Sequence, residues 1–152
     1  MENKSSDLVS NKRAFHNFEI LETFEAGIVL EGTEIKSLRD HGGSLQEAYV
    51  KVISGEVWLV GCHISPYKFG SFYNHQEVRD RKLLLHKREI NYLRENVQEK
   101  GLTIVPLSFY LKNGRVKIKI AIAKGKKTVD KRIAIKERDV KRQMQKMMKN
   151  RS

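Results

Sequence analysis

The clearest pattern along the chain lies at 116–123. There Val116, Ile118, Ile120 and Ile122 alternate with Lys117, Lys119, Ala121 and Ala123. A period of two turns the branched set toward a core and the other set away, so this segment predicts a strand with two outward lysines. Asn113-Gly114 before it is a strong hairpin signal and predicts pairing with 102–111 (LTIVPLSFYL), where Pro106 implies an edge or bulged strand. Residues 48–53 and 57–64, joined by Ser54-Gly55, predict a second hairpin. Residues 15–24 and 26–31 read as a strand pair or one long bent strand, with Gly27 marking a bulge or a close backbone approach.

Helical spacing appears three times. Residues 33–40 offer Thr33 as a cap, Ile35 and Leu38 on one face, and Lys36 and Arg39 on another. Residues 86–100 carry an Ile90, Leu93, Val97 stripe that stops at Gly101. Residues 130–151 can form an amphipathic helix with Ile133, Val140, Met144 and Met147 or Met148 on one side. About six short strands without a βαβ rhythm predict a mainly β fold with flanking helices, best matched by an OB-fold-like antiparallel β-barrel. The expected domains are a disordered N-terminal arm at 1–11, the barrel at 12–124 and a basic C-terminal tail at 125–152.

Composition changes this picture through charge. The 152 residues hold 30 Lys/Arg against 18 Asp/Glu, a net +12. Residues 124–152 contribute 12 basic and 3 acidic side chains, while the preceding 123 residues are nearly balanced at 18 and 15. A balanced body with a basic tail points to a polyanionic partner, against the plainer reading of a tail that aids solubility. The sequence lacks a long apolar run and a signal-like start, and Cys62 is its one cysteine, which excludes an internal disulfide. A soluble cytoplasmic protein, with no membrane association, is expected.

Catalytic and metal chemistry find little support. His16, His41, His63, His75 and His86 fall in separate segments, and adjacent Cys62 and His63 on a strand would face opposite ways. Gly125-Lys126-Lys127-Thr128 resembles the end of a P-loop, but Ile120 stands where glycine is needed and Lys127 where Ser/Thr is needed. No enzyme activity, cofactor or metal is expected. The aromatics of loop 65–79 are either packed within the loop or platforms for base stacking. Basic residues gather at Lys12 and Arg13, at Lys36 and Arg39, at Arg79, Arg81 and Lys82, and at Lys117 and Lys119 leading into Lys124, Lys126 and Lys127. Brought together, they would bind phosphates. A carboxylate among them such as Glu25 could accept from base amino groups or ribose 2′-OH groups, favouring RNA. Rival readings are a non-specific nucleic-acid chaperone, a lipid-binding tail helix and, last, a nuclease.

Residues 24–50 (FEAGIVLEGTEIKSLRDHGGSLQEAYV), 79–90 (RDRKLLLHKREI), 100–132 and the IKER at 135–138 resemble the SsrA-binding protein family, small protein B, in blocks that span nearly the whole chain. The resemblance implies a bacterial, non-enzymatic RNA-binding protein of trans-translation. Such a protein binds the tRNA-like domain of transfer-messenger RNA (tmRNA) through an oligonucleotide-binding barrel. It delivers that RNA, aminoacylated and carried by elongation factor Tu, to stalled 70S ribosomes. Its tail, unstructured in isolation, becomes helical in the empty mRNA channel and decoding centre. Carried onto this chain, the RNA-binding positions are Glu25, Leu84 and Lys117, with Lys36, Arg39, Arg79, Arg81 and Lys82 in the same blocks. The ribosome-binding tail would use Lys124, Lys126, Lys127, Asp130, Lys131, Arg132, Ile135, Lys136 and Arg138, and the chain is expected to be a monomer. Gln76-Glu77 stand where the family usually reads Asp-Pro, and Val129 where it often has His or Tyr, so a different turn and a tail relying on its charged triplet are expected.

Overall fold

The computed structural model describes residues 7–70 and 74–126. In chain order the elements are β1 (Asp7–Ser10), α1 (Lys12–Asn17), β2 (Phe18–Ile28), α2 (Gly32–Arg39), β3 (Gly43–Ser44), β4 (Tyr49–Ile53), β5 (Glu56–Val60), β6 (His63–Ile64), β7 (Arg81–Leu84), α3 (Lys87–Lys100), β8 (Thr103–Lys112) and β9 (Arg115–Gly125). Seven strands form an antiparallel sheet in the order β1-β8-β9-β2-β7-β5-β4, and β3 pairs with β6 separately. The sheet curls until β4 lies against β8, giving the OB-fold-like barrel. Both predicted hairpins are present. Ser54 and Gly55, and Asn113 and Gly114, all take positive φ, the conformation a two-residue turn between twisted strands requires.

Inside the barrel, Val116, Ile118, Ile120 and Ile122 of β9 meet Phe109, Leu59, Val57 and Leu83, while Leu38 of α2 and Leu93 of α3 are wholly buried in the same cluster. Pro106 sits in a bulge where the β8–β9 register shifts, and Gly101 closes α3 in the left-handed conformation.

Several details differ from the sequence pattern. The N-terminal arm is not free up to residue 11: from Asp7 onward it pairs with β8, burying Leu8 and Val9. Asn11 is buried as well. Its amide donates to the carbonyls of Leu45 and Pro106, which fixes the chain before α1. Residues 15–17, expected to open the strand, belong instead to α1, and β2 is one strand with a register shift between Ile20 and Glu22. Glu31, not Thr33, caps α2, through a reciprocal pair with Glu34. In α3 the buried partner of Leu93 is Asn96, whose amide donates to Tyr92 O, while Val97 is exposed. The tail helix expected at 130–151 lies outside the described residues.

One buried ion cluster fastens α2 to β7. Glu34 and Arg81 are each 0% exposed and approach to 2.6 Å, and Arg79 holds the other Glu34 oxygen at 2.6 Å. The Arg81 guanidinium also donates to the carbonyls of Cys62, Arg79, Gln76 and Glu77, so its N–H groups are satisfied without water. Burial pushes the Glu34 carboxyl up, but donation from Arg79, the Glu31 N–H and Arg81 outweighs it and holds the group below its ordinary 4.5. The stability this adds is therefore present above pH 4.5 and lost as pH falls below it. Glu34→Ala strands the Arg81 charge and should cost about 3–5 kcal/mol in urea unfolding at neutral pH. The gap from the native chain should narrow under acid.

Candidate nucleic-acid interface

Directly opposed residues of an antiparallel ladder share a face. Reading the ladders across β1, β8, β9, β2 and β7 gives one outer row of Asp7, Tyr110, Lys117, Gly27 and Leu84. The next row is Ser10, Ser108, Lys119 and Glu25. Leu84 stands 52% exposed beside Gly27, and a Cβ added to that glycine would meet Leu84 Cβ at 3.2 Å. The glycine is thus the close approach expected from sequence.

Farther along the same face the side chains become Ala121 and Ala123, which pack with Val105 and Leu107 under Ala14 of α1. The change from lysine to alanine along β9 therefore marks where α1 covers the sheet. The open half carries the charge. Tyr110 donates its hydroxyl to Glu25 Oε2 at 2.5 Å, and Lys112 donates to both carboxylate oxygens at 3.1 and 3.3 Å. The Tyr110 bond is the main cause holding the Glu25 carboxyl below its ordinary 4.5; slight burial opposes it, and Lys112 and Lys117 add to the lowering. Burial, together with the carboxylate it donates to, pushes the Tyr110 phenol up. Glu25 is thus a fixed, ionised acceptor among lysines, suited to N–H or 2′-OH donors within a surface that attracts phosphate.

The other expected binding residues separate into groups. Lys12 lies beside Lys119 along a cleft between α1 and the sheet, while Arg13 pairs with Glu47 at 3.7 Å. Lys82 of β7 pairs with Glu56 at 2.8 Å. Lys36 lies 5.7 Å from the Tyr67 ring centre, and Arg39 donates to Gly114 O at 3.4 Å. Arg79 is bound to Glu34 and Glu31. Arg81 must be withdrawn as a phosphate contact: with no exposed area and every donor directed inward, it belongs to the core. Lys124 and Lys126 are exposed, and Lys126 donates to Phe15 O at 2.9 Å. Lys127, Asp130, Lys131, Arg132, Ile135, Lys136 and Arg138 lie outside the described residues.

Sequence reasoning missed Tyr110 and Lys112, the partners of Glu25. A signal existed: a two-residue turn at Asn113-Gly114 sets Lys112 opposite Arg115 and therefore Tyr110 opposite Lys117. In loop 65–79 the chain is pinned by Asn74, which exchanges hydrogen bonds with the Tyr67 backbone; Tyr67 packs edge-on to Phe69, itself 73% exposed. Cys62 is buried and burial pushes its thiol up to about 12, as a core residue rather than a nucleophile. Among the described residues no cluster of three His, Cys, Asp or Glu could hold a metal, and no helix is long and apolar enough to cross a membrane.

The family described as SmpB protein matches residues 8–150. An SsrA-binding protein of Protochlamydia amoebophila is 65% identical, over 98% of this chain and 97% of its own length. That of Chlamydia muridarum is 57% identical, over 94% and 95%. Among solved structures, a chain described under "tmRNA-SmpB: a journey to the center of the bacterial ribosome" superposes with TM-score 0.66 at 46% identity, over 77% of this chain and 82% of that one.

Tyr110→Phe removes the largest influence lowering the Glu25 carboxyl. Its titration midpoint, followed by side-chain carbonyl NMR, should rise toward 4.5 without a change of fold.

Proposed function

The chain belongs to the SmpB family, and from that premise we propose that it is an RNA-binding factor that binds the tRNA-like domain of tmRNA, the SsrA RNA, and delivers it to stalled ribosomes for trans-translation. The observation that carries the reading is the ladder register that sets Glu25, Lys117, Lys119 and Leu84 on one open face. The lysines neutralise phosphates. Glu25 accepts from donors that only an RNA surface of the right shape presents, and exposed Leu84 packs on a sugar or base. Arg81 has no place in this contact; its work is to hold β7, and hence Leu84, against α2. Arg39, beside the hairpin tip, and Lys12, beside Lys119, extend the cationic border.

The tail completes the proposal. Its concentrated charge and the family's DKR and IKER blocks at 130–132 and 135–138 support a second RNA contact, in the decoding centre and empty mRNA channel of the ribosome. In this reading the barrel begins at Asp7, acts as a monomer, and joins aminoacylated tmRNA and elongation factor Tu in a delivery complex.

Glu25→Ala and Lys117→Ala should each weaken tmRNA binding about ten- to hundredfold in a gel shift, the effect of losing a charge-assisted hydrogen bond worth about 1.5–3 kcal/mol. Unchanged affinity in both would refute the site. Truncation after Lys127 should leave tmRNA binding intact and abolish peptide tagging on stalled ribosomes; loss of tmRNA binding would refute the separation of barrel from tail.

A further inference from the structure

The open face does not end at its last ladder row. Between α1 and the rim formed by β1 and β8 lies a cleft of about 450 Å³, lined by Asp7, Ser10, Lys12, Phe15, Ser108 and Lys119. That volume falls within the ~300–1,000 Å³ range of sites that enclose small ligands. Its wall holds an aromatic ring left 52% exposed, an unusual position for phenylalanine on a helix whose one buried residue is Ala14. Opposite polar demands meet there: two lysines suited to phosphate, and one carboxylate that would repel phosphate. Ser10 donates its hydroxyl to Asp7 Oδ2 at 3.3 Å and so orients that carboxylate.

We propose that this cleft receives one unstacked guanine of the bound RNA. Phe15 supplies the stacking plane, and Asp7 accepts from the base edge. Lys12 and Lys119 hold the phosphates on either side. Guanine is favoured because it alone presents two adjacent donors, N1–H and N2–H, which one carboxylate can accept together; in adenine, cytosine and uracil every donor on that edge is flanked by an acceptor. Ladder continuity supports the route. Asp7 is opposite Tyr110, and Ser10 is opposite Ser108, which is opposite Lys119. A strand lying along the Glu25 face therefore reaches the cleft without leaving the sheet. The assignment rests on the face being the RNA-binding surface, and it adds a reading of one base to a contact otherwise made by shape and charge.

The test separates the two. Full-length protein is titrated with millimolar GMP, AMP or inorganic phosphate while NMR shifts are followed, and tmRNA affinity is measured in parallel. Localised shifts at Phe15 and Ser108 are expected with GMP and not with inorganic phosphate, which should move only Lys12 and Lys119. The GMP shifts should vanish in Phe15→Ala, and Asp7→Asn should erase the preference for GMP over AMP. Phe15→Ala should weaken tmRNA binding about tenfold. Shifts of equal size with all three ligands, or GMP shifts that survive Phe15→Ala, would overturn the proposal. So would native tmRNA affinity in Phe15→Ala alongside the expected loss in Glu25→Ala, which would keep the RNA face and discard the cleft. Failure of tmRNA binding by the native chain, with GMP shifts intact, would refute the face and keep the cleft.

Discussion

The two ladders of β9 set the terms for the rest of the molecule. Along its length β9 pairs with β8 on one side and β2 on the other, and its inward residues fill the barrel. A one-residue slip would drive Lys117 and Lys119 into the core and expose Val116, Ile118, Ile120 and Ile122, which fixes the register strongly. Once that register is set, Glu25 must lie opposite Lys119, and Gly27 and Tyr110 must flank Lys117. The shared face of Glu25, Lys117 and Lys119 is a consequence of core packing.

Two glutamates show how burial decides between structure and function. Glu34 is wholly buried, faces two arginines and is satisfied on both oxygens, so removing it leaves a charge that water cannot reach. Glu25 is exposed at the surface, and its pairing with Lys112 contributes little to stability. What its bonds to Tyr110 and Lys112 supply is a fixed direction and a lowered carboxyl pKa, the properties that the proposed RNA contact calls on.

Much of this was legible in the chain. The alternation in β9, both two-residue turns, the end of α3 at Gly101 and the close approach at Gly27 each rest on a local rule, and each appears where that rule sets it. What local rules could not reach was partnership at a distance. Arg79, Arg81 and Lys82 look alike in sequence; only their distant partners, Glu34 for the two arginines and Glu56 for Lys82, separate a buried ion cluster from surface charge. The polar start of the chain hid β1 for the same reason. Leu8 and Val9 are a short apolar pair that signals nothing until β8 supplies an edge to receive them. Asn96, buried where Val97 seemed the better choice, is satisfied by the helix's own Tyr92 carbonyl.

In the proposed function, geometry on one strand face selects the RNA beyond charge. The most direct test is a competition titration of the tmRNA tRNA-like domain against an unrelated RNA of equal length, repeated over a range of salt. A strong preference for the tRNA-like domain that persists as salt rises is expected, because salt weakens the phosphate contacts to both RNAs alike. Equal affinity for the two RNAs, falling together with the same slope, would contradict it and leave a general polyanion binder.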